Sequence, residues 1–93
     1  MIKNLSEIKE KADIVRVIGN LIDLQKKGAY HSACCPFHNE HTPSFMVNAR
    51  KQTYFCYGCQ EGGDVFQFVQ KLQGLDFVES VEYVARETNT RVE

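Results

Sequence analysis

Apolar residues recur at helical spacing near both ends of the chain and alternate with polar ones between. Leu5, Ile8 and Ala12 follow this spacing around Ser6, which reads as an N-cap. Asp13 reads as a second N-cap, with Ile14, Val17, Ile18 and Leu21 as an apolar stripe, so residues 1–20 are predicted to form two short helices meeting near Asp13. From Leu21 the pattern turns to alternation, and Lys27-Gly28 marks a turn. Four strands are predicted over 21–26, 30–35, 44–48 and 52–57, antiparallel because their connections are too short for parallel crossovers. Phe45 and Val47 belong to the core side of their strand. Gly62-Gly63 reads as the turn that ends this segment, and Asp64 with Gln67 forms a capping-box pattern. Val65, Phe68, Val69 and Leu72 then make one buried stripe, stopped by Gly74. Asp76 with Glu79 repeats the capping pattern ahead of Phe77, Val78, Val81, Val84 and Ala85, and residues after Thr88 are expected to fray. The expected fold is α+β over 1–93: a small antiparallel sheet (21–60) flanked by N-terminal helices (1–20) and C-terminal helices (64–88).

Two knuckles interrupt the sheet pattern. Cys35-Pro36-Phe37-His38 is followed, seventeen residues later, by Cys56-Tyr57-Gly58-Cys59. Paired soft ligands with two-residue spacers are what a tetrahedral Zn²⁺ requires. Pro36 and Gly58 suit chains that reverse between ligands. The ligands read from this spacing are Cys35, His38, Cys56 and Cys59, holding one structural zinc. Four protein ligands leave no position for a metal-bound water nucleophile. Cys34 points to the opposite strand face from Cys35 and is expected to be a small buried hydrophobe. His31 and His41 lack the two-residue spacing. Grouped cysteines beside a histidine favour thiolate ligation over disulfides, and a redox reading of Cys56-Cys59 lacks its usual βαβ setting. A chain of 93 residues buries a limited core, so a metal staple is physically sensible.

Net charge is −1, which by itself argues against a nucleic-acid partner. Its distribution is uneven: between Leu24 and Gln60, Lys26, Lys27, Arg50 and Lys51 face only Glu40. That asymmetry suits either a modest phosphate-facing patch or a plain solvated surface. The N-terminus does not read as a signal peptide, and no stretch approaches a membrane span. No nucleophile triad, phosphate-cradling loop or Mg²⁺-binding carboxylate cluster is present, so the chain is not expected to be an enzyme on its own. Lys51, Thr53 and Phe55 share one strand face and Tyr54 and Cys56 the other. If Cys56 faces metal and core, Lys51 and Phe55 are exposed, a pairing that stacks bases and neutralises phosphates of a single strand. A helix covering Phe55 is the structural alternative.

Cys34-Cys35-Pro36-Phe37-His38-Asn39-Glu40, Thr42-Pro43-Ser44-Phe45, Lys51-Gln52 and Cys56-Tyr57-Gly58-Cys59 with Gly62-Gly63 together resemble the N-terminal zinc-binding domain of DnaG-type bacterial DNA primases. The likeness extends to Asp13-Ile14-Val15 and Phe77-Val78-Glu79-Ser80-Val81. It implies a zinc ribbon with three Cys and one His as ligands, and a role in selecting the start site on single-stranded template DNA. Its implied partners are that template, a Toprim-type polymerase domain acting in cis or in trans, and the replicative helicase through a further domain. The setting implied is the cytoplasm of a bacterium, or a phage or mobile element. The chain departs from the pattern at His41, where Lys is common, and at Phe55, where polar residues are frequent. The candidate template contacts are Lys51, Arg50, His41, Phe55, Tyr30 and Lys27, with Pro43 shaping the surface. The chain is expected to be either an excised N-terminal module or a stand-alone relative. The rival reading is a zinc-stapled protein-interaction module.

Structural zinc contributes about 10–16 kcal/mol of apparent binding free energy, as much as the whole stability of an ordinary domain. Exhaustive chelation is expected to abolish the cooperative thermal transition of the central segment. An unchanged thermal midpoint by circular dichroism would rule the staple out.

Overall fold

The computed structural model describes residues 2–37 and 43–93. Nine elements run in the order α1 (Leu5–Lys11), α2 (Ile14–Gly19), β1 (Gln25–Lys27), β2 (Tyr30–Ala33), β3 (Phe45–Asn48), β4 (Thr53–Cys56), β5 (Glu61–Gly63), α3 (Val65–Gln73) and α4 (Phe77–Glu87). All strands are antiparallel to their neighbours in one meander, β1-β2-β3-β4-β5. The α+β expectation holds, with a fifth strand added.

The capping signals act as expected. Asp13 accepts from the amides of Val15 and Arg16. Complete capping boxes, Asp64 with Gln67 and Asp76 with Glu79, open α3 and α4. Gly74 closes α3 at φ +67°, where a side chain would be strained. Ser6 is not the first cap: helix α1 starts after Asn4, whose side chain is engaged elsewhere. Asn4 Nδ2 donates to the Arg91 carbonyl and Asn4 Oδ1 accepts from Glu93 N, while Lys3 N donates to the Glu93 carbonyl. The tail after Thr88 is therefore tied to the N-terminus rather than frayed.

Strand β1 is shorter and later than the expected 21–26. The amides of Leu21 and Ile22 are taken by the Ile18 carbonyl, which extends the end of α2 by a turn and leaves only Gln25–Lys27 for the sheet. Gly62-Gly63 is not a plain turn but part of β5, with Phe55 opposite Gly62 and Tyr54 opposite Gly63. Glycines carry no strand signal, so the pattern could not find it. Close packing requires Gly62: a Cβ there would sit 2.7 Å from the Tyr54 carbonyl oxygen and 2.8 Å from the Phe55 ring.

One face of the sheet packs on the helices. The core joins Ile8, Ile14, Val17 and Ile18 from α1 and α2 to Phe45, Val47, Tyr54 and Cys56 from the sheet. Phe68, Val69, Val81, Val84 and Ala85 complete it from α3 and α4. Phe66, outside the predicted stripe, is buried as well, whereas Phe77 and Val78 at the start of α4 are exposed. At the centre lie four rings in mutual contact, Phe37, Phe45, Tyr54 and Phe68, with centroids 5.4–6.2 Å apart. Such pairs add about 0.5–1.5 kcal/mol each beyond their area.

The capping box at Asp64 depends on a missing side chain. A Cβ on Gly63 would lie 2.3 Å from Gln67 Oε1 and 3.0 Å from Gln67 Cβ, displacing the group that accepts from Asp64 N. Gly63→Ala is expected to cost about 1 kcal/mol or more, the worth of a cap. In a Gln67→Ala background most of that penalty should vanish, read as non-additive shifts in a double-mutant cycle of urea unfolding.

Candidate metal centre and the sheet face beside it

The two knuckles come together because β3 and β4 pair side by side. Register sets Cys56 opposite Phe45, and the Tyr57 amide donates to the Ser44 carbonyl, drawing the chain after Pro43 against the second knuckle. In that knuckle Gln60 N donates to the Cys56 carbonyl at 2.7 Å, turning Cys59 back toward Cys56. Phe37 anchors the other knuckle in the four-ring core. The result is a cluster of Cys35, Cys56 and Cys59 with all three Sγ atoms within 4.8 Å of one another. Cys35 and Cys59 Sγ are 3.9 Å apart, close to the roughly 3.8 Å that two sulfurs about 2.3 Å from one tetrahedral zinc would show.

Electrostatics fit a cation. Burial pushes the Cys35 thiol up to about 12 against an opposing hydrogen bond from the Phe37 backbone, and the Cys56 and Cys59 thiols push the same way. Cys59 is raised too, by burial first and then by Cys56, while Cys35 and Lys71 oppose the shift. Three crowded thiols cannot all ionise unless a positive charge sits among them, and a dication supplies it. Ser44 Oγ lies 3.6 Å from Cys56 Sγ, placing a hydroxyl beside one ligand. Lys71 on α3 pairs with Glu61 on β5, and its ammonium stands 4.7 Å over the Phe37 ring. The sequence reading missed this cation because it comes from another element; only packing brings it to the knuckles.

Of the predicted ligands, Cys35, Cys56 and Cys59 are brought together. His38 lies outside the described residues. Cys34 departs from its expected role: it lies beyond the end of β2 at Ala33 and is exposed, not a buried hydrophobe.

The outer face of the sheet, away from the core, gathers the other predicted residues. Phe55 is 38% exposed and stands edge-on to Tyr57 at a centroid distance of 4.9 Å, and among the described residues no helix buries it. Tyr30, 45% exposed, shares a cleft of about 220 Å³ with Lys51, Phe55 and Tyr57. Arg50 and Lys51 line an adjoining cleft with Tyr30. Lys27 and Pro43 line a third depression on the β1–β2 side. His41 lies outside the described residues. Two positions were overlooked. Asn48 Oδ1 accepts from Arg50 N and Lys51 N, an Asx turn that an Asn at a strand end signals. Gln52, at φ 57°, accepts from Ile14 N and donates to the Ala49 carbonyl, pinning the basic turn to α2; no local pattern announces a contact 38 residues away.

The comparisons agree with this geometry. A family model described as a CHC2 zinc finger matches residues 2–93. The chain is 49% identical over 81 residues to a DNA primase of Listeria monocytogenes, covering 87% of the chain. It is 44% identical over 87 residues to a DNA primase of Halalkalibacterium halodurans, and 42% over 89 to one of Staphylococcus aureus. It spans 13–15% of the length of these relatives. The solved structure of the Aquifex aeolicus primase, comprising zinc-binding and RNA polymerase domains, superposes with a TM-score of 0.92 at 33% identity. That match covers all of this chain and 23% of the other.

Zinc must displace the thiol protons to bind. Between about pH 7 and 8.5, below the ordinary thiol range, the logarithm of zinc affinity is expected to rise by about three per pH unit. Cys59→Ser should lower that slope by one. By contrast, Cys34→Ser should leave metal content at one ion per chain, whereas Cys35→Ser should reduce it, as read by elemental analysis.

Proposed function

The chain belongs to the CHC2 zinc-finger family, and from that premise we propose that it is the zinc-binding module of a DNA primase that grips single-stranded template. The observation that carries the reading is the outer face of the sheet, where exposed Phe55 and Tyr30 stand beside Arg50 and Lys51 on a pinned turn. Aromatic faces stack on unpaired bases whatever their identity, and the cations neutralise adjacent phosphates. Lys27, His41 and Pro43 complete the proposed contact set. In this reading the zinc is structural: His38 is the fourth ligand beside Cys35, Cys56 and Cys59, and the closed site holds the platform flat rather than activating water.

The module then presents template to a Toprim-type polymerase domain, in cis or from a neighbouring molecule, within bacterial replication in the cytoplasm, with the helicase recruited through another domain. Catalysis belongs to that polymerase domain. A second reading, docking on the polymerase domain without DNA contact, is favoured by the exposed Phe77 and Val78 beside Ile2, Leu5 and Val92. Nuclear magnetic resonance titrations with oligonucleotide and with polymerase domain separate the two: shifts confined to α1 and α4 would favour the second.

With about three phosphate contacts from Lys27, Arg50 and Lys51, log affinity for oligo-dT should fall with log salt at a slope near −2. Lys51→Ala should reduce the slope by about 0.7. Phe55→Ala should leave the slope alone and weaken binding by about 1–3 kcal/mol. Fluorescence anisotropy at several salt concentrations measures both, and no binding at low salt would overturn the reading.

A further inference from the structure

Glu61 opens β5 opposite Cys56, two residues after Cys59. Of the three clustered thiols Cys59 is the least buried, and its Sγ lies 3.9 Å from Glu61 Oε2. As a thiol, Cys59 donates weakly to that oxygen. Once zinc replaces the proton, the same contact sets a thiolate against a carboxylate, and like charges this close disfavour each other.

Lys71 resolves the conflict. Its ammonium pairs with the same Glu61 oxygen and stands 4.7 Å over the Phe37 ring. Helix α3 puts it there: Phe68 packs against Phe37, and Lys71, three residues further on, shares that side of the helix. A surface lysine is ordinarily free to swing; this one is held by a carboxylate on one side and by a ring of the aromatic core on the other. As a contribution to stability the ion pair is minor, since its side chains are 35% and 48% exposed. Its effect on Cys59 is of a different kind. A sulfur bound to zinc is already a thiolate, so a neighbouring cation no longer raises the thiolate fraction. It draws electron density from the sulfur instead, and nucleophilicity falls with basicity. A bare Glu61 would do the reverse.

We propose that Lys71 is a positioning residue for the metal centre: it cancels the Glu61 charge and damps the nucleophilicity of Cys59, the sulfur through which electrophiles reach the zinc. The pair is an electrostatic guard on the most accessible ligand and sets how long the sheet keeps its metal. The inference uses the zinc site alone and stands or falls independently of template binding.

Alkylation of the zinc-loaded protein tests it. With iodoacetamide the Cys59 sulfur displaces iodide: an S–C bond forms, iodide leaves and the Zn–S bond is lost. A Cys34→Ser background removes the exposed free thiol. Zinc release would be followed with a chromogenic indicator, and the first alkylated residue identified by peptide mass spectrometry. Lys71→Gln is expected to speed release about three- to fivefold, the scale of an exposed charge pair, with Cys59 alkylated first. Lys71→Arg should restore the wild-type rate to within about twofold, because the charge over the Phe37 ring is kept. Glu61→Gln should slow release, since it leaves the cation without the competing carboxylate. The Lys71→Gln effect should shrink at about 1 M salt, where the screening length is about 3 Å. Opposite signs for the two partners of one ion pair are the signature of charge; a pair that only braced β5 on α3 would give acceleration from both. Acceleration by both Lys71→Gln and Glu61→Gln overturns the proposal, as does no change in either or first alkylation at Cys35 or Cys56.

Discussion

Three thiols drawn to one point set everything else in this domain. Cys35 comes from the end of β2, Cys56 from the end of β4, and Cys59 from the turn leading to β5. A local turn joins Cys56 to Cys59, but only strand pairing brings Cys35 to them, and crowding opposes their ionisation. A dication converts that repulsion into attraction and ties both knuckles to the sheet between them. Burial in the sheet is concentrated on the face carrying Phe45, Val47, Tyr54 and Cys56, and strands of three or four residues are marginal on their own. The metal and the four-ring cluster beneath it are two halves of one fastening. Phe37 belongs to both, since it follows Cys35 by two residues in sequence and lies at the centre of the aromatic core in space.

This division of labour explains the asymmetry of the sheet. The inner face, with Phe45, Val47, Tyr54 and Cys56, is fully committed to helices and metal. The outer face keeps exposed aromatics, Tyr30 and Phe55, that contribute nothing to the core. Its cations stand on a turn held by Asn48 from within and tied by Gln52 to Ile14 of α2. A nucleic-acid platform gains from such stiffness, because side chains ordered in advance lose less entropy on binding. Lys71 and Glu61 extend the arrangement to the metal side, where a cation near three thiolates moderates the net negative charge of a zinc–thiolate centre.

The sequence reading succeeded where one residue type decides a local outcome. The caps at Asp13, Asp64 and Asp76, the stop at Gly74 and the alternation that buries Tyr54 and Cys56 while exposing Phe55 are set by neighbours within four positions. It failed where one group must choose between local and distant partners. Asn4 could have capped α1 but instead holds the C-terminal tail at Arg91 and Glu93, and Leu21 and Ile22 could have joined β1 but are captured by Ile18. Gly62-Gly63 looked like punctuation; β5 exists because Phe55 needs a neighbour without a side chain.

What the linear order of residues determined, then, is the chemistry: two knuckles with two-residue spacers, the caps at Asp13, Asp64 and Asp76 and the alternation of the strands, all consequences of backbone geometry over a few residues. Only folding decided the surroundings of that chemistry. It placed Lys71 over Phe37, pinned Arg50 and Lys51 through Gln52, and exposed Cys34. These depend on which elements lie side by side, and packing of distant segments leaves no period in the chain to read.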